Sequence, residues 1–285
     1  MVLGSANFDL VANVVEFQQP GQTVLATGYA EYAGGKGVNQ AVACARMGAR
    51  TAFIGCVGDD VMGRTLREML TLEGVDVTGL QTVDAPTGRA FISVDSSAEN
   101  MIVVVPGANA MVGCGYDLSL PPCAIILSQL EISLDVVTEI FKVAHVRGIR
   151  TVLNPSPVGE VPEGLLSLCD VVVPNEDESA RLGGAHTLLN KGAREVVVTL
   201  GARGAEIVTT HSMIAVPSYV VSPIDTTGAG DAFVGALCAE LIRGSTLEQA
   251  VRIATIAGAM ATTILGAVPS LPSREVVMNA HNLLR

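Results

Sequence analysis

Residues 124–153 read AIILSQLEISLDVVTEIFKVAHVRGIRTVL. The first four and the last four residues are short, mostly apolar runs, which predict strands that are buried on both faces. The segment 133–147 between them places apolar residues at 136, 137, 140, 141 and 144, the spacing of an amphipathic helix. A strand, a helix and a second strand in this order predict a βαβ unit, and therefore a parallel sheet covered by helices.

The same alternation continues beyond this stretch. Two further apolar runs lie at 170–173 and 195–198, with helix-like segments between them. We therefore predict an α/β fold with a doubly wound, mostly parallel sheet sandwiched by helices. Residues 10–33 and about 86–105 mix apolar, polar and glycine residues, which predicts a small β-sheet exposed on one face. Since no linker divides the chain, we expect one domain, 1–285, with the small sheet as a lid.

Composition narrows the possible functions. The 285 residues are 49% hydrophobic and 16% charged, as in globular proteins with a large core. The net charge of −11 disfavours binding to nucleic acid or to an anionic membrane surface. Residues 253–273 carry no charge, but their threonines, glycines and prolines favour a buried helix followed by a loop over a membrane span. Scattered cysteines without a Cys-x-x-Cys pair, and a start without a basic leader, predict a cytoplasmic protein.

The strongest indication of chemistry is Asp225-Thr-Thr-Gly-Ala-Gly-Asp231, which follows the pair 220–221, interpreted as a strand, and precedes an apolar helix. Three small residues at a helix N-terminus let backbone amides converge on an anion. Asp231, in the first helical turn, would then accept a hydroxyl proton during phosphoryl transfer. The alternative is an ordinary first-turn carboxylate that stabilises the helix. The chain has neither a P-loop motif nor a Gly-x-Gly-x-x-Gly after a strand, which disfavours P-loop enzymes and nicotinamide-dependent dehydrogenases.

A second motif, Gly34-Gly-Lys-Gly-Val-Asn-Gln-Ala41, leads into an alanine-rich helix. Its glycines permit close approach of a ligand, and Asn39 offers both a donor and an acceptor to hydroxyl groups. Lys36 is either a phosphate ligand or a solvated loop residue, and the whole motif is alternatively a tight turn. Near the N-terminus, Asn7 and Asp9 share one face of an extended segment, which suits either a clamp for vicinal hydroxyls or ordinary turn chemistry.

With these motifs together, the chain resembles the ribokinase-like (phosphofructokinase-B) carbohydrate kinases over essentially its whole length. The segments 34–41 and 225–231 are similar to the two signatures of that family. Further agreement, in the family's order, is found at 4–9, 107–109, 129–131, 154–157 and 174–178.

The resemblance implies a role for individual positions. The sugar would be held by Asn7, Asp9, Gly35, Lys36, Gly37, Asn39, Glu131 and Asp231. The catalytic group would be Asp231 as base, with an anion hole formed by Gly228, Ala229 and Gly230. ATP would contact Asn175, Thr199, Leu200, Gly201, Gly204 and Gly230. Glu178 would hold Mg2+ through water, and K+ would bind at Asp225, Thr227, Ala261, Ile264, Gly266 and Ser270.

The implied activity is transfer of the γ-phosphate of ATP to the primary hydroxyl of D-ribose, with Mg2+ required and K+ as an activator. The implied partners are a sugar, ATP and a second copy of the chain bound through the lid. The same chemistry on deoxyribose, another pentose or hexose, or a nucleoside remains an alternative, because one hydroxyl contact can decide the substrate. A sugar-binding protein without turnover is the alternative of a different class.

Overall fold

The computed structural model describes residues 1–97, 99–114 and 120–283. Its strands are β1 (Val2–Leu3), β2 (Asn7–Asn13), β3 (Gly28–Gly34), β4 (Ala52–Gly58), β5 (Asp76–Val83), β6 (Gly88–Val94), β7 (Asn100–Val105), β8 (Ile125–Ser128), β9 (Arg150–Leu153), β10 (Val171–Val172), β11 (Glu195–Thr199), β12 (Ala205–Val208) and β13 (Met213–Val216). Its α-helices are α1 (Lys36–Arg46), α2 (Val61–Leu72), α3 (Leu134–Val146), α4 (Glu163–Leu166), α5 (Glu176–Arg181), α6 (Ala185–Asn190), α7 (Ala229–Ile242), α8 (Leu247–Ala261), α9 (Ala267–Ser270) and α10 (Arg274–Asn282). Two short 3-10 helices lie at Gly107–Met111 and Gly201–Arg203.

The central sheet contains nine strands among the described residues, in the order β13-β12-β11-β10-β9-β8-β1-β4-β5. All its pairs from β11 to β5 are parallel, while β12 and β13 add an antiparallel edge. The mostly parallel α/β prediction is therefore confirmed. The four predicted apolar runs form the neighbouring strands β8 to β11, and α3 occupies the segment predicted as a helix.

Successive residues of the inner strands enter two different cores. On β8, Ile125 and Leu127 belong to the cluster under α1, α7 and α8, whereas Ile126 faces the cluster under α3, α4 and α6. Burial on both faces explains why these strands are continuous apolar runs rather than alternating ones. Helix α7 is buried from Asp231 to Leu241, because it lies between the sheet and the helices α1 and α8.

The pair Val220-Val221 is not a strand, so that part of the prediction is wrong. The residues lie in the loop between β13 and α7, and Val220 is 92% exposed. Pro217 and Pro223 bracket the pair, and a proline has no N–H to give to a sheet ladder. The uncharged segment 253–273 forms the end of α8, a turn and α9, as expected. In the described part of the chain, no helix has the length and apolar character that a bilayer crossing requires.

A second, four-stranded sheet has the order β3-β2-β6-β7. The outer pairs are antiparallel, and the central pair β2–β6 is parallel. Its strands lie in the two segments predicted to form a small sheet, although β2 begins earlier, at Asn7. Strand β3 ends at Gly34 and α1 begins at Lys36, with only Gly35 between them, so the small sheet leads directly into the helix of the glycine-rich motif.

Candidate active site

The first turn of α7 places Asp231 at the centre of the site. Gly228 precedes the helix with φ 77°, a left-handed conformation that side chains disfavour. Helix α7 begins at Ala229, so the first-turn amides lack intrahelical acceptors and point toward the loop side. Asp231 is buried. A helix N-terminus with a carboxylate in its first turn is the arrangement that the sequence motif predicts.

Both oxygens of the Asp231 carboxylate accept a hydrogen bond from α1. Asn39 Nδ2 donates to Oδ2 over 2.9 Å, and Gln40 Nε2 donates to Oδ1 over 2.9 Å. Asn39 and Gln40 are both buried. Charge-assisted hydrogen bonds of this kind hold a carboxylate in one orientation without adding a second charge.

The other half of the Asn39 amide is unsatisfied. Its Oδ1 is buried and has no hydrogen-bond donor within the described protein. An unpaired buried acceptor costs about 1–3 kcal/mol, so native structures rarely keep one without reason. A hydroxyl group from a ligand next to Asp231 would supply the missing donor.

Two more carboxylates and a lysine surround this point. Glu131 Oε2 accepts hydrogen bonds from Ser5 Oγ at 2.5 Å and from the Lys36 backbone at 3.0 Å. Burial, followed by the negative charges of Glu131 and Asp231, raises the pKa of Asp9 to about 7. Burial lowers the pKa of Lys36, but the negative charges of Asp231, Glu131 and Glu178 together raise it above its ordinary value. Lys36 is therefore a charged, half-buried group of the site rather than a solvated loop lysine.

The remaining predicted sugar positions lie at the junction of β2 and α1. Asn7, at the start of β2, is buried, and its Oδ1 accepts a hydrogen bond from Asn109 Nδ2 at 2.7 Å. Asp9 is two residues further on and shares its face of the strand. Gly35 precedes α1, and Gly37 lies against the backbone of Ser5.

Two cavities meet at the N-terminus of α7. The larger has a volume of about 330 Å³ and is lined by Thr199, Gly201, Ala202, Gly204, Ser218, Tyr219, Val220, Val221, Pro223, Thr226, Ala229, Gly230, Phe233, Thr255, Gly258, Ala259 and Thr262. The smaller has a volume of about 210 Å³ and is lined by Lys36, Asn154, Ser156, Val173, Asn175, Glu178, Thr199, Thr226, Gly228, Gly230, Asp231 and Val234. Thr199, Thr226 and Gly230 line both cavities, so the two form a continuous path that ends at Asp231.

Most of the predicted nucleotide residues lie along this path. Asn175 and Glu178 cap α5 reciprocally: Glu178 N donates to Asn175 Oδ1 at 2.8 Å, and Asn175 N donates to Glu178 Oε2 at 2.9 Å. Leu200 lines neither cavity, and its backbone N–H closes the turn by donating to Gly204 O. In the described ranges, no group of three or more His, Cys, Asp and Glu side chains is arranged to hold a metal ion.

The predicted monovalent-cation positions bracket the start of α7. Asp225 Oδ1 accepts from Thr227 N at 2.9 Å and from its Oγ1 at 2.7 Å, while Oδ2 accepts from Gly266 N at 2.8 Å. Burial raises the pKa of Asp225, but these hydrogen bonds outweigh it and lower the pKa below its usual value. Ala261 ends α8, Ile264 is exposed in the following turn, and Ser270 Oγ donates to Ala267 O at 2.8 Å. Asp225 thus joins the loop before α7 to the turn after α8.

Sequence reasoning assigned no role to three residues of the site: Gln40, Asn154 and Phe233. Gln40 lies within the second motif, next to Asn39, but an amide in an alanine-rich helix carries no signal of its contact with Asp231. Asn154 follows β9, and its position at a strand exit was the available signal. Phe233 is one of many apolar residues of α7, and nothing in the pattern distinguishes the one that lines a cavity.

Comparisons with known proteins find relatives that match almost the whole chain. A bifunctional ribokinase/ribose-5-phosphate isomerase A of Fructilactobacillus sanfranciscensis is 37% identical over 99% of this chain, which spans 56% of that relative. A ribokinase of Haemophilus influenzae is 38% identical over 96% of this chain and 95% of its own length. The structure of Arabidopsis thaliana ribokinase complexed with ribose and ATP has a TM-score of 0.90 at 28% identity, and the match covers 98% of this chain and 97% of that one. The model of the pfkB family carbohydrate kinases matches residues 1–274, and the chain belongs to that family.

Proposed function

We propose that this protein transfers the γ-phosphate of ATP to the primary hydroxyl of D-ribose, giving ribose 5-phosphate and ADP. The observation that carries the proposal is the place of Asp231, where the path of the two cavities meets the unpaired acceptor of Asn39. A nucleotide on one side and a hydroxyl on the other would both reach this carboxylate. The relatives named ribokinase support ribose as the sugar.

The residues around Asp231 divide the chemistry among them. Asp231 accepts the proton of the sugar hydroxyl while the oxygen of that hydroxyl attacks the γ-phosphorus. At the same time, the bond between that phosphorus and the oxygen of the leaving ADP breaks. The backbone amides of Gly228, Ala229 and Gly230, at the N-terminus of α7, stabilise charge on the transferring phosphoryl group. Lys36 adds a positive charge at the same place. Asn7, Asp9, Gly35, Gly37, Asn39 and Glu131 hold the sugar.

Phosphoryl transfer from ATP requires Mg2+, which neutralises charge on the phosphates. Glu178 suits this ion because it presents carboxylate oxygen, the donor that Mg2+ prefers, to the smaller cavity. One of its oxygens already accepts the Asn175 amide, which favours contact through water over a dedicated protein cage. Asn175, Thr199, Gly201, Gly204 and Gly230 form the nucleotide side, and Leu200 contributes through the backbone turn that it closes with Gly204.

We also propose K+ as an activator at Asp225, Thr227, Ala261, Ile264, Gly266 and Ser270. The carboxylate of Asp225 is held by protein donors, so main-chain oxygens of the two loops are the ligands these residues offer. A cation there would order the loop before α7 and thereby the anion hole.

The small sheet is proposed to act as a lid and as the surface of a homodimer. Strand β7 is a sheet edge whose residues are all exposed, and among them are Met101, Ile102 and Val103. An apolar edge strand of this length is a template for pairing with another strand. Light scattering tests the proposed dimer by measuring the molar mass in solution of the protein and of a Val103→Lys variant. We expect a smaller molar mass for the variant. The cytoplasm remains our proposed compartment.

The decisive experiment measures ADP release from Mg-ATP with D-ribose, 2-deoxyribose, hexoses and nucleosides, with K+ and with a bulky organic cation in its place. We expect the highest kcat/KM with ribose and faster turnover in K+. Highest turnover with another sugar would overturn ribose but keep the kinase chemistry. Equal rates in both cations would remove the K+ site.

The matched variants are Asp231→Asn and Asp135→Asn, which both remove a first-turn helix carboxylate, the second at the exposed start of α3. Loss of the base should lower kcat about 100–10,000-fold, and the α3 variant should behave as the unmodified protein. Turnover of Asp231→Asn near the original rate would refute the base assignment. Absence of turnover by the unmodified protein with every sugar would favour a binding protein.

A further inference from the structure

Gln40 is a completely buried side chain whose three polar contacts are all with other side chains. Its Nε2 donates to Asp231 Oδ1 at 2.9 Å and to Asn154 Oδ1 at 3.0 Å, and its Oε1 accepts from Gln129 Nε2 at 2.5 Å. A glutamine buried only for packing has no need of a carboxylate partner. The contact with Asp231 therefore indicates a role for Gln40 in the reaction.

The orientation of the Gln40 amide is determined by its neighbours. Asn154 Nδ2 donates to the Val173 carbonyl at 2.8 Å, so the other atom of that amide, Oδ1, faces Gln40 as an acceptor. An acceptor there requires the Nε2 of Gln40 on the same side, and this places the second N–H of Gln40 on Asp231. The main-chain carbonyl of Val173 thus specifies, through two amides, that Asp231 receives a donor.

We propose that Gln40 is a positioning residue, which holds Asp231 Oδ1 so that the carboxylate keeps a single orientation and remains ready to accept a proton. The inference rests on the proposed role of Asp231 as the base. Asn39 donates to Oδ2 and Gln40 donates to Oδ1, so the carboxylate of Asp231 cannot rotate without breaking a charge-assisted hydrogen bond. A base held in this way need not reorganise when the hydroxyl arrives.

Gln40 is distinct in this respect from Gln129. Gln129 is equally buried and belongs to the same chain of amides, but its contact is with Gln40 Oε1 and not with Asp231. Its own Oε1 has no donor within the described protein. Replacing Gln129 with Met therefore removes a buried amide of the same size and leaves both donor bonds of Gln40 in place.

The test compares Gln40→Met, Gln129→Met and Asp231→Asn in the full-length protein. For Gln40→Met we expect kcat to fall about 10–100-fold, as for loss of a hydrogen bond to a charged group, with the KM for ribose changed less than about threefold. The acid limb of the pH profile of kcat should move to higher pH, because an amide donor favours the ionised carboxylate. Gln129→Met should keep the original acid limb, even if its thermal stability changes.

The other charged groups around Asp231 remain in both glutamine variants. They are Lys36 on α1, Asp9 on β2, Glu131 after β8 and Glu178 on α5. If Gln40→Met fails to fold, Gln40→Glu keeps the shape, and the two facing carboxyl groups should share a proton and move the acid limb upward. An acid limb that does not move in either Gln40 variant would overturn the inference, as would an equal movement in Gln129→Met. Full activity of Asp231→Asn would instead refute the base itself.

Discussion

The sugar side and the nucleotide side of the site are lined by different kinds of side chain. On the sugar side, Asp231, Asn39 and Gln40 are joined by side-chain hydrogen bonds, and Asp9 and Glu131 add charge. On the nucleotide side, the larger cavity has no charged or amide side chain among its described lining residues, which are small, apolar or hydroxyl-bearing. Two of its hydroxyls, at Thr255 and Thr262, donate to main-chain carbonyls of their own helix.

This difference has a consequence for specificity. A pocket built to hydrogen-bond a hydroxyl rejects an analogue that lacks it, since buried polar groups are then left unpaired. An apolar pocket discriminates by shape, and each missing contact matters less. We therefore expect the chain to select its sugar strictly and to hold the nucleotide mainly through backbone groups and fit.

Among the substitutions that test this contrast between the two halves, the largest effect is expected for Asn39→Leu, which removes an amide from the sugar side. The variant loses the donor to Asp231 and the free acceptor for a sugar hydroxyl, so kcat/KM for ribose should fall about 100–1,000-fold. Because Asn39 lines neither the larger nor the smaller cavity, the KM for ATP should change less than about threefold. Steady-state kinetics with each substrate varied in turn measure both values.

The control for this substitution is Asn190→Leu, at the exposed end of α6, which should leave both constants unchanged. If Asn39→Leu raised the KM for ATP as much as that for ribose, the two halves would not act separately.

A smaller effect is expected for Gly230→Ala, at the junction of the two halves. A methyl group there would meet no protein atom within 4 Å, so folding should tolerate it. The methyl would stand where phosphate must approach the first-turn amides of α7, and kcat/KM for ATP should fall about 10–100-fold. Thermal unfolding should stay within about 1 °C of the original Tm.

Gly164→Ala, in α4, is the matched control, because a methyl group at that position is equally free of contacts. Unchanged kinetics for Gly230→Ala would show that the phosphates do not approach this backbone. A large loss of Tm would instead show that the open space around Gly230 has a structural role.

The same contrast explains how far the sequence could predict the molecule. Strand β9 was predicted to the residue and α3 to within one residue at each end, because burial leaves a local signal in the sequence: a continuous apolar run for the strand and a helical period for α3. The order of strands was not predicted. The two-residue strand β1 lies between β8 and β4, and that position depends on long-range packing that no local pattern encodes.

In the site too, local sequence patterns did not reveal contacts that depend on long-range packing. Asp231 and Asn39 stand in motifs whose residue types suit phosphoryl transfer and hydroxyl binding. Gln40 follows Asn39 on α1, and consecutive residues of a helix point about 100° apart, so the pattern suggests different partners. In the structure the two amides reach opposite oxygens of one carboxylate, which only the crossing of α1 and α7 makes possible.

The smallest effect concerns stability. It tests whether the neighbouring carboxylates of the sugar side destabilise the folded protein when no sugar is bound. Burial and the charges of Glu131 and Asp231 raise the pKa of Asp9 to about 7, above its ordinary value of 3.8. Between these values the folded protein binds more protons at Asp9 than the unfolded chain does. The contribution of Asp9 to stability therefore falls as the pH rises from about 4 to about 7.

Asp9→Asn removes this penalty, so without sugar its Tm should gain on that of the original protein as the pH rises from 5 to 8. We expect a gain of roughly 2–4 °C, about 1 kcal/mol after allowance for solvent screening at a half-buried group. Thermal unfolding at several pH values measures it, with Asp135→Asn as a control that removes an exposed carboxylate at the start of α3. A pH-independent difference for Asp9→Asn would mean that the carboxylates do not oppose one another. A rising difference, together with weaker ribose binding, would show that the polar half sacrifices stability to hold its substrate.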